Sequence, residues 1–277
     1  RSHRLEHGRR TAEPEKSALV TTFRERLAGV ASLSEDERRA LVMEATEVVR
    51  TSVYPALGRA AAVLEAMRPA AAKREAGVGD LPDGAAYYAA RLAEMTTTRY
   101  TPDEVHALGL AEVARITAEM DALLARQGLA AGSVGTRMQQ LAEDSRYRLP
   151  NTDDGRKEML ARYQQSLDDM AARLPRYFRD LPADRLVVQR VPEAQQTAGA
   201  GAYYTPPALD GSRPGMFFVN LRDVSANPLW GMKTLAYHEG IPGHHLQTTV
   251  ALRQRELPLV RRLGWYPAYG EGWALYA

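Results

Sequence analysis

The 277-residue chain contains no cysteine, which excludes disulfides, thiolate catalysis and any zinc site built on Cys. It contains no run approaching the ~18–20 apolar residues that span a bilayer. Nor does it carry a large charge of either sign: 36 Lys and Arg face 34 Asp and Glu, for a net +2. That balance offers no electrostatic footprint for a nucleic-acid partner. The many arginines alternate with acidic residues along helical stretches, as on a solvated face. There is no internal repeat and no low-complexity tract. A methionine and a signal peptide are both missing at Arg1. The other end, Glu271-Gly272-Trp273-Ala274-Leu275-Tyr276-Ala277, is a helical pattern without a cap. Further chain is therefore expected at both ends. None of these absences fixes a compartment, so cytoplasmic and exported locations both stay open, as does the oligomeric state.

What is present is ordinary in bulk. A hydrophobic content of 45% and a charged content of 25% are those of a globular protein, and the length allows a sizeable core. Residues 1–184 read as a helical region. Ser34-Glu35-Asp36-Glu37 has the form of a capping box, and the helix behind it is expected to run to about Val53, where Pro55 interrupts it. A second helix is expected over 56–67, followed by an Ala-rich stretch of mixed signals over 69–76 and a loop over 77–84. A short helix fits 85–94. Thr101-Pro102-Asp103-Glu104 combines an N-cap Thr, Pro at the first helical position and Glu at the third. It predicts a helix to about Arg126, stopped by Gly128. Leu108, Leu110, Val113, Ile116, Met120 and Leu123 recur along it at helical spacing and are expected to face a core. Further helices fit 133–144 and 155–174. His3 and His7 fall in a tail, and His106 on a helix surface.

The character changes near Leu186. Residues 185–191, 202–205 and 215–220 read as short strands, and the last two are joined by the turn-forming loop 206–214. Residues 185–277 thus form a small β ribbon or sheet next to helices that begin near Pro228. Together with 1–184 they make one continuous, mainly α-helical domain.

Three of the six histidines fall within eight residues, in Tyr237-His238-Glu239-Gly240-Ile241-Pro242-Gly243-His244-His245-Leu246-Gln247. Imidazoles hold zinc, and an adjacent carboxylate takes a proton from water. The usual arrangement, His-Glu-x-x-His, puts two imidazoles one turn apart on one helix face. Here the fourth position after His238 is Pro242. On an unbroken helix His245 would restore the face but stand ~10 Å along the axis, and His244 would point more than 100° away. The site therefore requires a break in the helix. Pro242, which removes a donor, and Gly243, which relaxes the backbone, supply the means. Either His244 or His245 can then stand beside His238. A later segment, Tyr269-Gly270-Glu271-Gly272-Trp273, offers Glu271 as a third ligand. Trp230, Trp265 and Trp273 read as packing residues.

These motifs resemble a family. The run His-Glu-x-x-Pro-Gly-His-His-Leu-Gln looks like the bacterial family called domain of unknown function 885. So do Tyr203-Tyr204-x-Pro-Pro, Gly215-x-Phe-Phe-Val-Asn, Thr96-Thr97-Thr98 with the Thr101-Pro102 helix start, and Leu209-Asp210-Gly211-Ser212-Arg213-Pro214. The resemblance covers Leu81 to Ala277, and members of the family are usually longer at both ends. The family is in turn distantly similar to helical zinc carboxypeptidases and oligopeptidases, which implies a zinc-peptidase-like helical cleft with a small sheet near the metal. Matched to their pattern, Gly243-His244 takes the place of the Gly-His that ends the zinc motif, with two residues inserted. The resemblance then implies His238, His244 and Glu271 as ligands of one zinc ion and Glu239 as general base. His245 in the ligand role is the alternative. The spacing from His244 to Glu271 is 27 residues and that from His245 is 26.

The expected activity is a zinc-dependent hydrolase, a metallopeptidase cleaving peptide or amide bonds. Tyr204 and His245 are candidate electrophiles for the tetrahedral intermediate, and Tyr203 and Asn220 are candidate substrate contacts. A metal amidase acting on a small non-peptide conjugate would use the same residues. A helical binding or scaffold protein without catalysis is a further reading, against which Glu239 stands, because a purely structural site has no use for a base.

Overall fold

In the computed structural model, which describes residues 13–72, 77–196 and 201–277, Ser17, Ser34, Thr101, Ser133 and Thr152 each cap the start of a helix. The chain divides into two compact units, Arg1–Gly84 and Ala85–Ala277. In the first, α1 spans Ala18–Ala28 and α2 spans Glu35–Val48. Ser34 caps α2: its Oγ accepts from the Glu37 N–H, and the Glu37 carboxylate accepts from the Ser34 N–H, the reciprocal box expected there. Pro55 does not end this helix. A π turn over Val49–Val53 leads directly into α3, Tyr54–Ala71. Proline removes a donor and crowds the carbonyl four residues back. The wider turn shifts the register, and the Tyr54 N–H donates to Val49 O, five residues back. Pro69 sits in the last turn of α3. The end of the Ala-rich stretch, residues 73–76, and His3 and His7 lie outside the described residues.

The second unit holds α4 (Gly84–Thr96, its first residue at the junction), α5 (Pro102–Arg126), α6 (Val134–Glu143) and α7 (Asp153–Ala171). Thr101 and Glu104 form a second capping box. α5 ends at Arg126, and Gly128 follows at φ +81°. The apolar stripe of α5 departs from expectation. Leu108, Leu110, Val113, Ile116 and Leu123 are exposed and Met120 is half-buried, whereas Leu124 is buried. Periodicity marks a face but does not supply what covers it. Among the described residues α5 packs chiefly against α6. There the buried Arg137 guanidinium binds the Asp121 carboxylate and donates to Leu129 O at 3.0 Å.

The strands are β1 (Leu186–Arg190), β2 (Ala202–Thr205) and β3 (Gly215–Val219). β3 is central, parallel to β1 and antiparallel to β2, so the expected ribbon is one half of a mixed three-stranded sheet. Phe217 and Val219 alternate onto the buried face. Met159, Tyr163 and Leu167 recur every four residues along α7 and meet that face. The Tyr163 ring stands edge-on to Phe217 at 5.2 Å. α8 (Met232–Glu239) adds Met232 and Ala236 to the same core. Because α7 supplies this core, the chain does not divide where its composition changes at 184–185. α9 (His244–Arg253), α10 (Leu259–Leu263) and α11 (Pro267–Tyr276) complete the unit.

Candidate metal centre

His238 and Glu239 are the last two residues of α8. The helix stops because Gly240 takes φ −102°, ψ −115°, away from helical values. Residues 240–243 then form a bend and a turn. The Gly243 N–H donates to Tyr237 O and the His245 N–H to Gly240 O, each at 2.9 Å, and the Ile241–Pro242 bond is cis. A Cβ on Gly243 would lie 2.0 Å from His238 O and 2.2 Å from Tyr237 O, so no residue with a side chain fits there. Along a straight helix His238 and His244 would be separated by roughly 9 Å of axial rise. Across this break their ring centroids are 4.7 Å apart.

Glu271 comes from α11, which packs on both α8 and α9. Trp273 pins it: the indole Nε1–H donates to Pro242 O at 2.8 Å. Gly270 leaves the space that the Trp265 ring occupies, 2.4 Å from where its Cβ would be. Trp265 in turn stands edge-on to His244 at 5.5 Å. Of the three tryptophans read as packing residues, Trp265 and Trp273 pack around this cluster, whereas Trp230 is exposed. Glu271 Oε2 lies 3.5 Å from His238 Nε2 and 3.6 Å from His244 Nε2, and the three atoms are within 4.8 Å of one another. Ligands at 2.0–2.1 Å in a tetrahedral shell are separated by about 3.4 Å. The donor set and its spacing therefore fit a zinc ion. On α9, His244 Nδ1 and Gln247 Oε1 are buried one turn apart without a strict hydrogen bond. Paired as donor and acceptor, they would leave Nε2 as the unprotonated nitrogen a metal requires.

The electrostatics agree with that chemistry. Burial, then the neighbouring His238, lowers the pKa of His244, and burial lowers that of His245. Neutral imidazole is the form that ligates. Glu239 is 9% exposed. Burial, then the Glu271 charge, pushes its carboxyl up to about 7, against a smaller opposing hydrogen bond from the Tyr204 backbone.

His245 goes elsewhere. It is 4% exposed and is not among the residues lining the adjoining cavity. Its Nε2 lies 3.0 Å from Asp184 O and its Nδ1 3.0 Å from Tyr204 Oη. A carbonyl only accepts, so Nε2 carries the proton, and the neutral ring accepts the Tyr204 O–H at Nδ1. Arg253 holds Asp184 from outside, through Nε at 3.0 Å. Gly215 makes room for the ring: a Cβ there would meet His245 Nδ1 at 2.5 Å. Tyr204 lines the cavity and stacks near His244 at 6.4 Å, and burial raises its phenol pKa. Tyr203 also lines the cavity and stacks on Phe218 at 4.8 Å. Asn220 is not among the lining residues; its Oδ1 accepts from the Arg222 N–H at 3.1 Å.

The cavity has a volume of about 590 Å³ and includes Leu209, Leu252, Leu263, Trp265, Tyr266 and Tyr269 beside His238, Glu239, His244 and Glu271. Sequence reasoning missed Asp184, Gly215 and Arg262. Gly215 carried a signal, because glycine inside a strand marks a close approach. The other two had none: Asp184 matters through His245, far along the chain, and nothing local shows that Arg262 lines this cavity.

The fold and site define a mainly helical protein in which a small sheet supports a His/Glu cluster across a broken helix. The chain belongs to the bacterial family of proteins of unknown function called DUF885, whose profile matches residues 3–277. A solved structure described as "the putative lipoprotein from Colwellia psychrerythraea" is 36% identical, with a TM-score of 0.93. The match covers 98% of this chain and 47% of that one, so the chain spans about half the length of that relative. No curated protein matches it.

Proposed function

We propose that the chain is a zinc-dependent hydrolase that cleaves peptide or amide bonds. The observation that carries this reading is the meeting of His238, His244 and Glu271, with Glu239 on the same cavity wall. His238 Nε2, His244 Nε2 and a Glu271 oxygen would hold the ion, and three protein ligands leave a position open, as in catalytic rather than structural zinc sites. When bound, zinc supplies Lewis acidity, making water ionise near neutral pH and polarising a carbonyl.

Glu239 accepts the proton of the attacking water and returns it to the leaving amine. A buried carboxyl on the same cavity wall is placed to carry that proton both ways. His245 serves as a positioning residue: its tautomer, set by Asp184 O, orients the Tyr204 hydroxyl. Tyr203 and the apolar wall exclude water from the bound substrate. β2 is an edge strand and lines the cavity. An extended peptide can pair with the part of it that Glu239 leaves free, which favours a peptide or an amide over a lipid ester. The Colwellia relative's description as a lipoprotein supports an exported location for this chain too.

Metal content measured by mass spectrometry on protein purified without added metal tests the reading. One zinc per chain is expected, lost in His238→Ala and kept in Glu239→Gln, with turnover of short peptides abolished in both. A chain that takes up no zinc when it is supplied overturns the proposal. Turnover of small amides but not peptides would turn it toward a conjugate-cleaving amidase.

A further inference from the structure

We propose that Arg262 is the anion-recognition residue of this cavity, and that the molecules bound there carry a carboxylate remote from the His/Glu cluster. The inference rests on the hydrolase reading for its chemistry, but its test does not need turnover.

Arg262 lies on α10, half-buried, and is the one Lys or Arg among the residues lining the cavity. Its Nε and Nη2 both donate to Leu252 O, one of the carbonyls that the end of α9 leaves unsatisfied. No acidic side chain pairs with it among the described residues, whereas nearby Arg253 is held by Asp184 at 2.9 Å. A guanidinium has five donors, and here one carbonyl occupies two of them. A partly buried cation without a counter-ion is unfavourable, and an anionic ligand relieves it.

Its place in the cavity sets the geometry. Arg262, Leu252, Pro207 and Leu209 also line a second, adjoining depression, whereas His238, Glu239, His244 and Glu271 line only the first. Arg262 therefore stands where the two depressions meet, on wall that the cluster does not share. A cavity of about 590 Å³ is in the size range that encloses a small molecule or short peptide segment. A ligand can thus present a carbonyl at the cluster and a carboxylate at Arg262. The planar guanidinium takes a carboxylate through two parallel hydrogen bonds. The carboxylate is either the free C-terminus of a short peptide or an acidic side chain.

Calorimetric titration of Glu239→Gln, with and without zinc, distinguishes these. The probes are an N-acetylated apolar dipeptide acid, its C-terminal amide, and an amidated peptide with an aspartate side chain at its last position. The acid is expected to bind ~10- to 100-fold more tightly than the apolar amide, the range for hydrogen bonds to a charged group. That ratio should fall to near one when Arg262→Gln is added, and Arg262→Lys, which keeps the charge and a donor for Leu252 O, should retain part of it. Equal binding of acid and amide overturns the proposal. So does a preference that survives Arg262→Gln, because the carboxylate would then be sitting on the metal. If the aspartate peptide matches the acid with the same dependence on Arg262, the carboxylate recognised is a side chain. If only the acid binds well, the site is built for chain ends. Thermal melts of both Arg262 variants separate loss of recognition from loss of fold.

Discussion

Glu239 carries a perturbation in the site whose consequence can be measured without substrate. Its buried carboxyl holds a proton up to about pH 7, where an exposed one releases it near 4.5. Between those values the folded chain binds more protons than the unfolded chain, so raising the pH through that window lowers stability. The full effect is on the order of 3 kcal/mol. In chelator-treated protein Glu239→Gln should therefore be more stable than the parent at pH 8, with the difference shrinking toward pH 5. Parallel denaturation curves at both pH values would refute the assignment. Gly243 makes a second residue-level test. With His238 O 2.0 Å from the missing Cβ, Gly243→Ala should cost about 3 kcal/mol or more and abolish zinc uptake. An alanine variant that melts and binds as the parent would show that the turn tolerates a side chain. The choice between His244 and His245 belongs to this scale as well. Both were candidate ligands from spacing alone, and the two are separated only by where their rings go. One meets Glu271, and the other is consumed between Asp184 and Tyr204.

The site is assembled from two helix ends and the middle of a third helix. α8 brings His238 and Glu239 at its last residues, α9 brings His244 at its first, and α11 brings Glu271. What keeps them in register is the contact between α11 and the turn, where Trp273 reaches Pro242 O. Trp273→Phe keeps the aromatic bulk and removes that hydrogen bond. It should lower stability by about 1 kcal/mol and weaken zinc affinity by roughly 10-fold or more, as supporting groups around metal ligands do. An unchanged zinc affinity in a competition titration would mean that α11 is held by packing alone. Helix starts were legible because a cap is a contact between residues three apart, as at Ser34 and Thr101. Strand positions were legible from β-branched and aromatic runs. The continuation through Pro55 and the uncovered stripe of α5 were not, because both depend on what the rest of the chain does around them.

Every residue of the candidate site, and the core beneath it, lies in Ala85–Ala277. A chain beginning at Ala85 should therefore fold and bind zinc with the stoichiometry of the parent. Its melting temperature should fall on chelation, because a zinc ion held by His238, His244 and Glu271 would tie together three helices and bind the folded state alone. A fragment that folds but takes up no zinc would place part of the site's support in the first unit. Resemblance of the motifs pointed to the DUF885 family, and composition, periodicity and spacing were enough to establish a mainly helical chain, three short strands, capped helix starts and a His/Glu group that needs a broken helix. These rest on contacts within a few residues, which any sequence displays directly. Which histidine joins Glu271, that the sheet is mixed, that Asp184 orients His245 and that Arg262 stands in the same cavity as the cluster emerged only once the chain was folded. Each of these depends on packing between segments far apart in sequence, and local propensity carries no record of those distances.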